Sequence, residues 1–164
     1  MGIIRWLFGS KEEISSKAMI HSTIGEFSTN GRLLSGGHSQ KNIDELRRRR
    51  QIFNIEKIYS NGVRIGNVPN QIKKSKRTGT SQSRFPKNWN DGIIKKTAQT
   101  ISRGRKRKDG EIKNGHYNKV NVGVIRTNGI ISTIFPMKVQ KNKKGVTLNE
   151  RKKTKRINRK KQNN

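Results

Sequence analysis

Two of the three histidines sit in segments whose composition suits chemistry better than packing. His21 opens the run His21-Ser22-Thr23-Ile24-Gly25-Glu26-Phe27, and His38 lies inside Ser35-Gly36-Gly37-His38-Ser39. Paired imidazoles in a lysine-rich chain can work on an RNA phosphodiester. One takes the proton from a 2′-hydroxyl while the other protonates the leaving 5′-oxygen, and histidine suits both tasks because its ordinary pKa lies near the working pH. The glycines before His38 leave the backbone bare, so a bulky phosphodiester can approach. The third histidine, in Lys113-Asn114-Gly115-His116-Tyr117, reads as a loop residue. The chain has no cysteine, so disulfides and cysteine–histidine zinc sites are excluded. No metal and no small-molecule cofactor is expected, and the glycine turn is not a nucleotide phosphate loop because no Gly-Lys-Ser/Thr follows it.

The charge points the same way. Net charge is +29 with a pI near 11.5, and only 28% of the residues are hydrophobic. Such an excess repels itself in a compact fold and makes sense beside a polyanion: RNA, DNA, an anionic surface or an acidic protein. No run of residues is long and apolar enough to span a membrane. The start, Met1 to Gly9, is apolar but too short for a secretory signal, and Trp6 stands where a myristoylation signal needs Ser or Thr. We read it as the remnant of a longer upstream region.

The elements that must position the histidines follow from the apolar pattern. A weak helical pattern covers Lys11 to Ile20, and His21 to Phe27 reads as a helix end or a first strand. Ser28 to Gly31 is a turn. A short helix begins at Asn42 and runs on through Arg50. Strand formers follow Gln51, then the hairpin signal Asn61-Gly62, then Val63 to Val68, which alternates as a half-buried strand should. Lys73 to Arg77 is a basic loop, and Gly79 to Arg84 is small and polar. Phe85 to Asp91 looks like the staple and cap of a helix whose apolar face is Ile93, Ile94, Thr97, Ala98 and Ile101; Phe85 and Trp89 read as core. Two strands, Val120 to Thr127 and Ile130 to Phe135, meet at Asn128-Gly129. From Lys138 onward the chain is a lysine/arginine run that lacks the apolar residues to fold.

Several ordered pieces carry a family resemblance. They are His21…Gly25-Glu26-Phe27, Gly36-Gly37-His38-Ser39, Asn61-Gly62-Val63-Arg64-Ile65-Gly66-Asn67-Val68-Pro69, Lys76-Arg77-Thr78-Gly79-Thr80, Phe85-Pro86-Lys87-Asn88-Trp89, and Val122 to Gly129 running into Thr133-Ile134-Phe135-Pro136. In this order they resemble the bacterial EndoU ribonuclease domain of polymorphic and contact-dependent toxins. The resemblance implies an α+β fold of the barnase–EndoU–colicin–RelE group, with N-terminal helices packed on a twisted antiparallel sheet. It implies metal-independent cleavage of single-stranded RNA by 2′-hydroxyl attack, giving 2′,3′-cyclic phosphate and 5′-hydroxyl ends. His21 and His38 match the two family histidines. The family lysine falls among Lys73, Lys74 and Lys76; Lys76 lies nearest the matching pattern, where its ammonium would stabilise charge on the phosphate. Thr133 matches the family Ser/Thr. Gly37, Ser39, Arg77 and Thr78 flank these positions and are expected to contact substrate. Many members carry an aromatic hydroxyl two residues after that Thr. This chain has Phe135, so any such hydroxyl comes from elsewhere, for instance Tyr117.

The expected organisation is a lead over 1–18, a nuclease domain over 19–137 and a disordered basic tail over 138–164. The expected partners are RNA and an acidic immunity protein. The expected location is outside the cell after secretion or a target-cell cytoplasm after delivery, or the producing cell's own cytoplasm if the chain is complete. Two other readings fit the composition: a non-catalytic RNA-binding protein of ribosome-associated type, which has no need of the imidazoles, and a DNA-binding architectural protein, which would ignore the 2′-hydroxyl.

Overall fold

The structure, a computed structural model, describes residues 11–140 and the backbone of Val146–Thr147. The first ten residues of the 1–18 lead and most of the proposed tail therefore lie outside the described residues.

Helix α1, Ser16–Thr23, starts where the Ser15 hydroxyl accepts from Ala18 N–H at 3.1 Å. Its buried Ala18 and Ser22 face strand β8, Ile130–Pro136, and Ser22 Oγ accepts from Ile134 N–H at 2.9 Å. A β1–β2 ribbon, Glu26–Phe27 with Leu33–Ser35, leads to the glycine turn. Helix α2, Gln40–Arg48, follows, with Ser39 as its cap. Strands β3 (Asn54–Ile58), β4 (Arg64–Asn67) and β5 (Gln82–Arg84) join β9 (Val146–Thr147) in an antiparallel sheet ordered β5-β4-β3-β9. Helix α3, Asp91–Ile101, is capped by Asn90, inside the Phe85–Asp91 segment expected to hold the cap. It packs on the second sheet, β6 (Lys113–Tyr117), β7 (Val120–Thr127) and β8, ordered β6-β7-β8. The fold is α+β.

The main core lies between α1, α3 and the sheets and includes Val63, Ile65, Phe85, Ile94, Val122 and Ile134. Phe85 and Trp89 stack within it, 5.2 Å between centroids, confirming them as packing residues. A satellite cluster of Leu33, Leu46 and Val68 sits under α2.

Three elements differ from the sequence pattern. Strand β4 is buried along its whole length because β3 and β5 flank it and both faces are covered. Its Arg64 is 7% exposed and donates to Phe85 O and Gln40 Oε1, both at 2.6 Å. Strand β5 occupies part of the small polar segment. Strand β6 occupies the stretch around His116, which therefore stands on an exposed strand position. The turn joining β6 to β7 is Asn118-Lys119, both at positive φ, in the same geometry that Asn128-Gly129 gives β7–β8.

The folded unit also continues past Met137. Gln140 is buried, donates to Met137 O and Asn121 O, and accepts from Asn61 Nδ2 and Asn121 N–H. Backbone pairing of Val146–Thr147 with Ile58 and Lys57 adds the edge strand β9.

Candidate active site

The last turn of a helix leaves carbonyls without intrahelical partners. In α1 these are supplied by the residues that carry the second histidine. Gly37, His38 and Ser39 N–H donate in succession to His21 O (2.8 Å), Ser22 O (2.6 Å) and Thr23 O (3.2 Å). Asn42 Nδ2 donates to Ile24 O at 2.7 Å. The glycine turn is thus docked on the helix end, and the backbones of the two histidines are held in fixed relation. Glycine is required here: Gly36 has φ 68°, and a Cβ on it would stand 2.0 Å from His21 O.

His38 is fixed from both chain directions as well. Its carbonyl accepts from Phe85 N–H at 2.7 Å, and its Nδ1 lies 2.9 Å from Ser83 O. A carbonyl can only accept, so Nδ1 carries the proton and Nε2 is left with a lone pair. Burial, then the nearby Arg84 guanidinium, pushes the imidazole pKa down to about 3, which keeps the ring neutral at neutral pH. Arg84 lies directly behind this group. It is fully buried, donates to Asn42 Oδ1 at 2.7 and 3.0 Å, and shares Ser83 O through Nη1 at 3.1 Å. Its guanidinium rests on the Phe53 ring at 4.5 Å.

His21 has a different setting. Its Nδ1 lies 3.4 Å from Glu26 Oε1, and Glu26 accepts from Ser35 Oγ at 2.9 Å through its other oxygen. The Ser35 hydrogen bond first, and the imidazole with it, holds the Glu26 carboxyl below its ordinary value, so it is an anion facing the ring. That arrangement sets a carboxylate beside the His21 ring and leaves a neutral base at His38.

A cavity of about 450 Å³ brings His21, His38, Lys76 and Thr133 together. Lys76, in a 3-10 turn over Lys74–Lys76, donates from Nζ to Ser81 O at 3.0 Å. Burial first, and then Lys138, Lys73 and Arg84, lower its pKa. Lys73 and Lys138 also line the wall, so three ammonium groups face one space. Lys74 is exposed and does not line it. Phe135 tilts against His38 with 5.8 Å between centroids. Tyr117 packs edge-on against Trp89 in the core, so it supplies no hydroxyl at the cavity.

The remaining predicted contacts lie off the cavity wall. Gly37 is buried against Asn42 and Ile24. The Ser39 hydroxyl is engaged by Thr23 O and Lys41 N–H. Arg77 donates to Gln71 O and Ile72 O, which shapes the loop that carries Lys76. Thr78 is exposed. Sequence reasoning missed Ser83 and Arg84, whose contributions are a carbonyl and a buried charge, and it missed Glu26 and Lys138 as site residues. Glu26 alone had a readable signal, since a carboxylate five residues after His21 can return to the ring.

A family model, that of the bacterial EndoU nuclease, matches residues 15–138. The chain belongs to that family. The matched span contains α1, both histidines, Lys76, Thr133 and Lys138, so every element around the cavity belongs to the EndoU domain. Neither the curated proteins nor the solved structures yield a match. Membership makes this a nuclease domain, and among the described residues of this EndoU chain no helix is long and apolar enough to cross a membrane.

Proposed function

We propose that the domain is a metal-independent endoribonuclease that cleaves single-stranded RNA to 2′,3′-cyclic phosphate and 5′-hydroxyl ends. The observation that carries this is the cavity in which a neutral, Nδ1-bound His38 and a carboxylate-paired His21 face the same space. His38 Nε2 accepts the proton of the 2′-hydroxyl. The 2′-oxygen attacks phosphorus, the bond to O5′ breaks, and His21 protonates the departing oxygen. Lys76, with Lys73 and Lys138 on the rim, stabilises negative charge on the non-bridging oxygens. Thr133 contacts the phosphate or the ribose. This needs no metal because both proton transfers are done by imidazoles.

The test is incubation with total RNA in excess chelator, followed by analysis of the new ends. Cyclic phosphate ends with activity retained are expected; activity lost in chelator and restored by a divalent ion overturns the mechanism. The same chemistry in a cell would be toxic, and we read the domain as a bacterial toxin neutralised by an acidic immunity protein over the cleft. Expression of the active domain without such a partner should arrest growth, whereas the His38→Ala form should not. Unchanged growth with active enzyme present would rule out the toxin role.

A further inference from the structure

His21 stands between two cavities. On one side is the space that holds His38 and Lys76. On the other, a second cavity of about 340 Å³ lies between α1 and the β7–β8 turn. The two have only His21 and Thr133 in common. Ala18, Ile130 and Ile131 give the second cavity apolar walls, Asn128 and Ser132 add polar groups, and Lys17 and Glu26 add one charge of each sign. Apolar contact with a few placed donors and acceptors is what a planar heterocycle needs. The Asn128 carboxamide offers both donors and an acceptor, and its position is set by a turn residue at φ 54°.

The proton inventory decides which nucleoside lies where. His38 has its free Nε2 as the base, so the nucleoside whose 2′-hydroxyl attacks lies on the His38 side. The new bond is 2′-O to phosphorus, and the broken bond is phosphorus to O5′. The proton that completes O5′ comes from His21. The atom that receives it belongs to the next nucleoside, which therefore departs across His21. We infer that the second cavity is the subsite for the nucleobase of the leaving nucleotide, the residue 3′ to the cut. This rests on the ribonuclease reading above.

The test compares two substrates that break the same bond. One is a ribodinucleoside monophosphate, in a set of four differing only in the 3′ base. The other is the matching nucleoside 3′-(methyl phosphate), which has no 3′ base. The variants are Asn128→Gly, which removes the amide and keeps the positive φ accessible, and Ile130→Ala at a residue 58% exposed; neither site is needed for the core. The native enzyme should show a higher kcat/KM on the dinucleotides. Each variant should reduce that preference by about three- to tenfold, the scale of one or two lost contacts. Methyl ester cleavage should stay within about twofold of native. Equal loss on both substrates would mean the residues only hold the fold, and an unchanged preference would mean the cavity is unused; either overturns the subsite. Native enzyme that cleaves both substrates equally well keeps the nuclease and removes the subsite. Native enzyme that cleaves neither removes the ribonuclease reading and the subsite with it.

Discussion

At His38 the imidazole is held by its amide, its carbonyl and Nδ1, and its pKa is pushed down to about 3. Three outcomes belong to this scale. His38→Ala and His21→Ala should each lower kcat on single-stranded RNA by roughly 10²–10⁴-fold, the usual worth of a general acid or base, with His116→Ala near native. Stopped-time cleavage of a labelled oligonucleotide at saturation reads this directly. The second outcome concerns acid. Below the ordinary histidine value of 6.5 the unfolded chain takes up a proton that the folded His38 refuses until about pH 3. The unfolded state binds more protons in that window, so stability falls as pH drops through it. Urea titrations at neutral and acid pH should show a smaller acid loss for His38→Gln than for native protein. Arg84→Met, which keeps packing on Phe53, should raise the His38 pKa only part of the way, because burial is the larger cause and Arg84 the second. Titration of the His38 ring by NMR checks it, and a value unchanged from native would show that Arg84 does not act on the ring.

The elements hold these residues through turns, and turns divide what was legible in the sequence from what was not. Asn128-Gly129 and Asn61-Gly62 were readable because asparagine and glycine accept positive φ. The β6–β7 turn went unread because Lys119 takes φ 64° without looking like a turn residue. Strand β5 went unread because Gln82, Ser83 and Arg84 are buried through hydrogen bonds rather than apolar contact, which leaves no alternation to detect. The histidine pair was legible from residue type and spacing; its closeness was not, since it depends on backbone donors that any sequence possesses. The Gly36 turn gives an element-scale test. Gly36→Ala meets His21 O at 2.0 Å and must pull the turn off α1, whereas Gly79→Ala, at φ 62°, has open space around it. Thermal denaturation should show a loss of about 1 kcal/mol for Gly79→Ala and a clearly larger loss for Gly36→Ala, with nuclease activity lost only in the second. Equal losses would mean that the turn adapts to the side chain.

Over the whole molecule, the +29 charge exceeds anything the cavity uses. The lysine/arginine run after residue 140 should bind phosphates without regard to sequence, with a salt slope of about 0.7 for each single-strand phosphate neutralised. A chain ending at Gln140 should bind RNA more weakly with a flatter salt dependence, yet turn over at a near-native rate when RNA saturates. A chain ending at Met137 loses the buried Gln140 side chain and should melt at a lower temperature. Paired salt titrations and melting curves distinguish the two. Lost turnover at saturation in the Gln140 form would place the run inside the catalytic machinery.

The docking of the glycine turn on α1 has one more consequence, in time rather than in energy. The amides of Gly37, His38 and Ser39 are protected by three consecutive carbonyls of one helix end, and those same bonds set the spacing of the histidines. Their deuterium exchange should therefore proceed as one event, with one opening rate, and every such opening takes the two imidazoles apart. The exchange rate of these three protons counts how often the enzyme is briefly dismantled, and it can be followed with no RNA present. Anything that settles over the cleft should slow all three together, long before a change in cleavage is sought.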